Sequence, residues 1–171
     1  IQPGDVAAMD FEHGSHPQKP TGPSSQKMGL ALHGDKVLVP TSDLHVLALS
    51  AKTGELIWDH EIAPPTPAMR GQYNLRSAPL VVKDKVIQGV TASFVPKGGF
   101  VLAIDLESGE ESWRFNTIAR PDEAYGNSWN GLAMDKRSGG SIWHQGTYDA
   151  ELNKTPWGQR ITTLKNEKLR I

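Results

Sequence analysis

Ala48-Leu49-Ser50-Ala51-Lys52-Thr53-Gly54-Glu55-Leu56-Ile57-Trp58 decides how this chain is read, because its frame returns at Ala103-Ile104-Asp105-Leu106-Glu107-Ser108-Gly109-Glu110-Glu111-Ser112-Trp113. Ala, Thr or Ser, Gly and Trp keep their spacing through a shift of 55 residues, from 58 to 113. Each copy joins a short apolar run to another through a tight polar turn. Glycine suits the turn position that needs positive φ. The large face of the terminal Trp suits a seam between sheets, with its indole N–H seeking one carbonyl.

Working outward from the first copy, Leu30-Ala31-Leu32, a turn at His33-Gly34-Asp35, Val37-Leu38-Val39 and a turn around Thr41-Ser42-Asp43 precede Val46-Leu47-Ala48-Leu49 and Leu56-Ile57-Trp58. Strands this short, joined by turns this tight, pair antiparallel in a four-stranded meander. Pro64, Pro65 and Pro67 then break the pairing, since proline offers no ladder donor. The meander restarts at Ala78-Pro79-Leu80-Val81-Val82 and runs through Val86-Ile87, Phe100-Val101-Leu102-Ala103-Ile104 and Trp113-Arg114-Phe115. Its first turn, Lys83-Asp84, lies only 49 residues beyond Gly34-Asp35, so the second copy carries a longer loop between its second and third strands, within Gly89 to Gly99. Loops that grow on a rigid scaffold often carry function.

Four-stranded units repeating at this period predict an all-β fold, a partial β-propeller of two antiparallel blades and the start of a third. The expected organisation is an N-terminal arm over 1–26 and a propeller part over 27–153. Its blades run over about 29–60 and 77–116, with a third begun at 141, and a divergent tail follows over 154–171. A ring needs at least four blades, so the chain reads as part of something longer. Its start, Ile1-Gln2-Pro3-Gly4-Asp5, reads as cut or processed, and its tail as a truncation or an altered splice or reading frame.

Composition excludes several functions. Net charge is -1 without a basic run, which leaves no electrostatic footprint for nucleic acid. No apolar stretch approaches the roughly 20 residues of a membrane-spanning helix. Cysteine is absent, which removes disulfides and thiolate metal sites. His13-Gly14-Ser15-His16 offers too few ligands for a metal, while His33, His45 and His60 read as solvated. Asp122-Glu123 reads as an exposed acidic loop, and no Gly-rich phosphate cradle opens a helix.

Leu47 to Trp58, Gly29-Leu30-Ala31-Leu32 before Gly34-Asp35-Lys36-Val37, and Ala78-Pro79-Leu80-Val81-Val82-Lys83-Asp84-Lys85-Val86-Ile87 resemble the opening blades of the PQQ-dependent (quinoprotein) alcohol dehydrogenases. Gly139-Gly140-Ser141-Ile142-Trp143-His144 resembles that family's Gly-Gly-Thr/Ser-x-Trp segment. The resemblance covers roughly Lys27 to Asn153. It implies an eight-bladed periplasmic enzyme that passes a hydride from an alcohol or similar small substrate to pyrroloquinoline quinone (PQQ), with an electron acceptor such as a cytochrome c. It implies that Trp143 is the floor on which the quinone stacks and that Ser141 is the hydroxyl neighbour that bonds to the cofactor. The cofactor-facing Ser-Gly-Ala-Glu segment falls on Thr91-Ala92-Ser93-Phe94, and a carboxylate-binding threonine falls on Arg76. Phe94 thus stands where the family has a glutamate for calcium or a lanthanide, and Met28 where it has an arginine. Arg76 reads either as a relocated anion contact or as a solvated loop arginine, and Trp143 either as a cofactor floor or as a seam residue. No catalytic residue is assigned, because the family's aspartate and remaining metal carboxylates belong to later blades. A noncatalytic propeller serving as a protein-interaction scaffold is the alternative, and the isolated span is expected to show little or no activity.

Overall fold

The computed structural model describes residues 29–92 and 95–158. Two four-stranded antiparallel sheets carry the fold. The first holds β1 (Ala31–His33), β2 (Lys36–Pro40), β3 (His45–Ser50) and β4 (Leu56–Glu61). The second holds β5 (Leu80–Val82), β6 (Lys85–Val90), β7 (Phe100–Asp105) and β8 (Glu111–Asn116). Neighbours in sequence are neighbours in each sheet, which is the meander that the short turns require.

The repeat is visible atom by atom in the turns. Ser50 Oγ accepts from the N–H groups of Lys52 and Thr53, and Asp105 Oδ1 from those of Glu107 and Ser108. Gly54 and Gly109 follow with φ of +74° and +75°, a region in which a Cβ costs energy. Even the bulge is copied: the β3–β4 register slips between Ala48 and Leu49, and the β7–β8 register between Ala103 and Ile104. At the first hairpin turns, Gly34 and Lys83 both take positive φ. Lys83 shows that the backbone geometry is kept where the glycine is not.

Stacking of the two sheets makes the main core. Leu38, Val46 and Ala48 of the first sheet meet Val86, Leu102 and Ile104 of the second, all fully buried. Trp58 closes the outer part of this seam. Its Nε1–H donates to the Leu106 carbonyl at 3.0 Å, and a Cβ on Gly109 would lie only 2.8 Å from its Cγ. The glycine of one turn is therefore the seat for the tryptophan of the preceding sheet. Trp113 occupies the same repeat position in the second sheet but is 43% exposed against 8% for Trp58.

The other face of the second sheet is partly covered by residues 142–157. Ile142 is buried among Val82, Ile87, Val101 and Ala103, with Leu80, Tyr148 and Trp157 around it; full burial of one such isoleucine is worth about 1.5–3 kcal/mol. Gly89, a glycine in mid-strand, admits this layer, because a Cβ there would collide with the Ile142 side chain and come within 2.9 Å of Trp157 Cζ3. A third turn at Asp149 repeats the earlier pair: Asp149 Oδ1 accepts from the N–H groups of Glu151 and Leu152, and Asn153 takes φ +50° where the others have glycine. From the sequence no clear second strand is legible after Asn153, and among the described residues, which run to 158, no further strand follows it. The chain nevertheless doubles back, through an Asp149–Lys154 bridge and a bond from Thr147 N–H to the Pro156 carbonyl. Proline lacks a donor but keeps its acceptor, which is why the return is possible.

Candidate functional site

Three segments meet at the end of the second sheet where β6 stops and β7 begins. Thr91 continues β6 and forms a bridge with Asn74, the Asn74 N–H donating to the Thr91 carbonyl at 3.0 Å and the Thr91 N–H to the Asn74 carbonyl at 2.8 Å. The stretch 137–143 runs alongside, tied by a Pro96–Ser138 bridge and by Lys97 N–H donating to the Arg137 carbonyl. Gly139 and Gly140 have φ of +108° and +61°, which L side chains rarely adopt. Close approach is the second reason for glycine here: a Cβ on Gly99 would stand 2.5 Å from the Val90 carbonyl oxygen and 2.9 Å from that of Gly140.

Ser141 is the pin of this junction. At 1% exposure, its Oγ accepts from the Ala92 N–H at 3.1 Å and from the Trp143 Nε1–H at 2.8 Å. The first bond holds the loop after β6; the second fixes the rotation of the indole. Thr91 Oγ1 donates to the Ile142 carbonyl at 2.5 Å, so hydroxyls on both segments clasp the same joint. Arg76, two residues beyond the bridged Asn74, lays its guanidinium over the Trp143 ring with Cζ 4.5 Å from the centroid. Its Nε is buried and makes no hydrogen bond.

Of the residues singled out in the sequence, Arg76, Thr91, Ala92, Ser141 and Trp143 are thus brought together, although they lie on segments separated by up to 67 positions. Ser93, Phe94 and Met28 lie outside the described residues, as do His13 and His16. Arg76 is half-buried, with its guanidinium over the Trp143 ring and its Nε shielded from solvent. Two histidines also differ from the solvated reading. His45 Nδ1 lies 2.6 Å from Asp59 Oδ1 and His60 Nδ1 lies 2.8 Å from the Gly109 carbonyl, both rings being largely covered. Strand positions, not turn positions, explain the cover: His45 opens β3 and His60 faces the second sheet from β4.

The acidic loop is a staple. Glu123 accepts from the Arg120 N–H at 2.7 Å and from Asn116 Nδ2 at 3.1 Å, bonds that hold its carboxyl below the usual range, the Arg120 backbone bond foremost. Sequence reading passed over Arg137, which is buried and donates to the carbonyls of Leu132 and Ala119; nothing in its local pattern marks it. Gly89 did carry a signal, as a glycine inside an apolar run.

Comparison with known proteins meets this geometry from the other side. A family model described as outer membrane protein assembly factor BamB (PQQ_2) matches residues 11–145. The quinohemoprotein alcohol dehydrogenase ADH IIB of Pseudomonas putida is 36% identical over 151 residues, 78% of this chain and 21% of its own length. The dehydrogenase subunit of the quinone alcohol dehydrogenase of Gluconacetobacter polyoxogenes is 31% identical over 156 residues. The chain belongs to the quinoprotein (PQQ-repeat) alcohol dehydrogenase family. Solved structures agree: a europium-containing methanol dehydrogenase superposes with a TM-score of 0.64 at 28% identity, covering 74% of this chain and 24% of that one. The quinohemoprotein alcohol dehydrogenase from Comamonas testosteroni superposes at 0.61 and 28%, covering 78% and 21%. The quinoprotein chain therefore carries two blades of a dehydrogenase-like propeller, and it spans about a fifth of the length of the curated relatives it matches.

Within the quinoprotein frame the residues at the junction fit a flat, acidic cofactor. Trp143 offers an aromatic ring whose rotation is fixed by Ser141, with the Arg76 guanidinium over one of its faces and the Arg76 Nε buried without a partner. Among the described residues no group of three or more His, Cys, Asp or Glu side chains is placed to hold a metal ion.

Proposed function

We propose that this chain forms one wall of the PQQ site in a propeller that oxidises an alcohol or similar small molecule. The observation that carries the reading is the double use of Ser141 Oγ, which binds the Ala92 N–H and the Trp143 indole together and so presets the ring. An aromatic floor helps only if it is held still before the ligand arrives. When bound, PQQ supplies a two-electron acceptor for a hydride. This chain's residues orient it: Trp143 gives the stacking face, Ser141 fixes that face, and Thr91 secures the Ile142 carbonyl behind it. Ser93 completes the loop in this reading.

Removal of the substrate proton and polarisation by calcium or a lanthanide belong to groups beyond the described residues, and Phe94 in place of the expected glutamate argues for a smaller metal share from this wall. Electron transfer onward to an acceptor such as a cytochrome c, and a periplasmic location, follow from the family and are part of the same proposal. Among the described residues no helix is long and apolar enough to cross a membrane.

The test uses the intact protein with PQQ and a primary alcohol, reading dye reduction. Reconstituted wild type is expected to oxidise the alcohol, with Trp143→Ala slower by about tenfold or more through weakened cofactor binding. Equal rates and equal PQQ affinity in the two proteins would remove Trp143 from the site and the reading with it.

A further inference from the structure

Asn130-Gly131 is the one place in this chain where asparagine precedes glycine. The pair forms a tight turn: the Leu132 N–H donates to the Trp129 carbonyl at 2.9 Å, and both central residues take positive φ, +49° and +74°. That geometry favours this pair of residues. Both are exposed, and a Cβ built on Gly131 meets nothing within 4 Å. Neither the Gly131 N–H nor the Asn130 side-chain amide makes a hydrogen bond among the described residues. The backbone nitrogen, the side-chain carbonyl carbon it can attack and the space around them are thus all free.

The other asparagines lack part of this set. Asn74, Asn116, Asn127, Asn153 and Asn166 are followed by Leu75, Thr117, Ser128, Lys154 and Glu167, whose side chains crowd the N–H that would have to attack. Asn116 and Asn153 are also hydrogen-bonded through their side chains, to Arg120 and Glu123 and to Lys83 and Tyr148. What the turn at 130 holds is a buried arginine. Arg137, 4% exposed, donates from Nε to the Leu132 carbonyl at 2.8 Å and from Nη1 to the Ala119 carbonyl at 2.9 Å, with its Cζ 5.7 Å from the centre of the Trp129 ring. It closes the stretch 119–132 like a clasp. Both ends of that stretch return to 97–99, through the Thr117 N–H to the Gly99 carbonyl and the Lys97 N–H to the Arg137 carbonyl.

We propose that Asn130 is a self-modification site whose conversion opens this clasp. The Gly131 nitrogen attacks Asn130 Cγ; a C–N bond closes a cyclic imide, the Cγ–Nδ2 bond breaks, and Nδ2 leaves as ammonia with the proton given up by the Gly131 N–H. Water then splits the ring at either carbonyl to give aspartate or isoaspartate, and no oxidant or reductant takes part. In isoaspartate the main chain runs through Cβ and Cγ, one atom longer than before, and a carboxylate is added. A turn closed by a single backbone bond does not keep Leu132 in register across the extra atom, so the Leu132 carbonyl leaves Arg137 Nε. The proposal stands apart from the quinone reading.

Ageing the intact protein in mildly alkaline buffer, with peptide mass spectrometry and isoaspartate detection at intervals, tests this. Asn130 is expected to convert at least about tenfold faster than Asn127, mainly to isoaspartate, and faster still as pH rises. Gly131→Ala should slow the conversion by about tenfold or more, because a side chain then obstructs the attack. If Gly131→Ala does not fold, Asn130→Gln carries the same comparison, its longer side chain closing the ring much more slowly. Trypsin reads the clasp: aged wild type should be cut after Arg137 at least about fivefold faster than fresh protein, since the bonds that bury Arg137 are open. Asn130→Asp gains the charge but not the extra atom and should resist as fresh protein does. Conversion at Asn130 no faster than at Asn127, or as fast in the variant as in wild type, overturns the site. Aged and fresh protein cut alike, or Asn130→Asp cut as fast as aged protein, overturns the opening of the clasp.

Discussion

Gly109 has φ +75°, and the space where its Cβ would sit is filled by the Trp58 ring. Gly109→Ala therefore meets two costs at once, the left-handed backbone and the displaced indole, and is expected to destabilise the intact protein by about 1–3 kcal/mol in urea unfolding. Gly34, at φ +58° with nothing within 4 Å of its Cβ position, isolates the backbone part; Gly34→Ala should cost about 1 kcal/mol. Ser141→Ala strips the acceptor from a buried donor, the Ala92 N–H, and from a part-buried one, the Trp143 Nε1–H. A loss of about 1–3 kcal/mol follows, with a shift in tryptophan near-ultraviolet circular dichroism as the ring loses its anchor. Asp105 gives the pH dependence. Bonds from the Ser108 N–H, the Lys85 ammonium and the Glu107 N–H hold its carboxyl well below the ordinary carboxylate value of 3.8. The sign is that of a depressed acid: its contribution is complete above the unfolded value and fades as pH falls below it. Between pH 5 and 7 the turn is expected to be indifferent to pH, and Asp105→Asn should flatten the acid limb of the stability curve below about pH 4.

The repeated turn and the tryptophan act as one element where the two sheets stack, with Gly109 of the second turn seating Trp58 of the first sheet. Trp58 is buried, bonded to the Leu106 carbonyl and set on Gly109, so Trp58→Ala is expected to cost about 3–5 kcal/mol and Trp58→Phe about 1–2 kcal/mol for the orphaned carbonyl. Both strand sets and the seam role of Trp58 were legible in the sequence, because short apolar runs between tight polar turns and a fixed Gly-to-Trp spacing are local signals. The partner of each Trp was not, since Leu106 and Gly109 lie about fifty residues from Trp58 and no local pattern encodes that pairing. The same holds for the site. Resemblance picked out Arg76, Thr91, Ala92, Ser141 and Trp143 one by one, but the inward use of the Ser141 hydroxyl and the stacking of Arg76 on Trp143 depend on three segments meeting in space. The largely covered states of His45 and His60 escaped for a simpler reason: a histidine in a short strand looks the same in sequence whichever face it takes.

At the scale of the molecule, two sheets stacked face to face and partly covered by the 142–157 layer make a segment of a ring in the quinoprotein family, spanning about a fifth of its curated relatives. The layer matters for function because it carries Trp143 and follows directly on Ser141, and its seat on Gly89 and Ile87 ties the candidate site to the core of the second sheet. Gly89→Val should expel Ile142 and Trp157 together, weakening PQQ binding and stability in the same variant, an effect that paired calorimetry and thermal unfolding would register. The most direct test of the central claim is a crystal structure of the intact protein with PQQ bound. The account predicts the quinone plane against the Trp143 indole, roughly one aromatic thickness away. A quinone bound elsewhere, with Trp143 buried against protein alone, would contradict it.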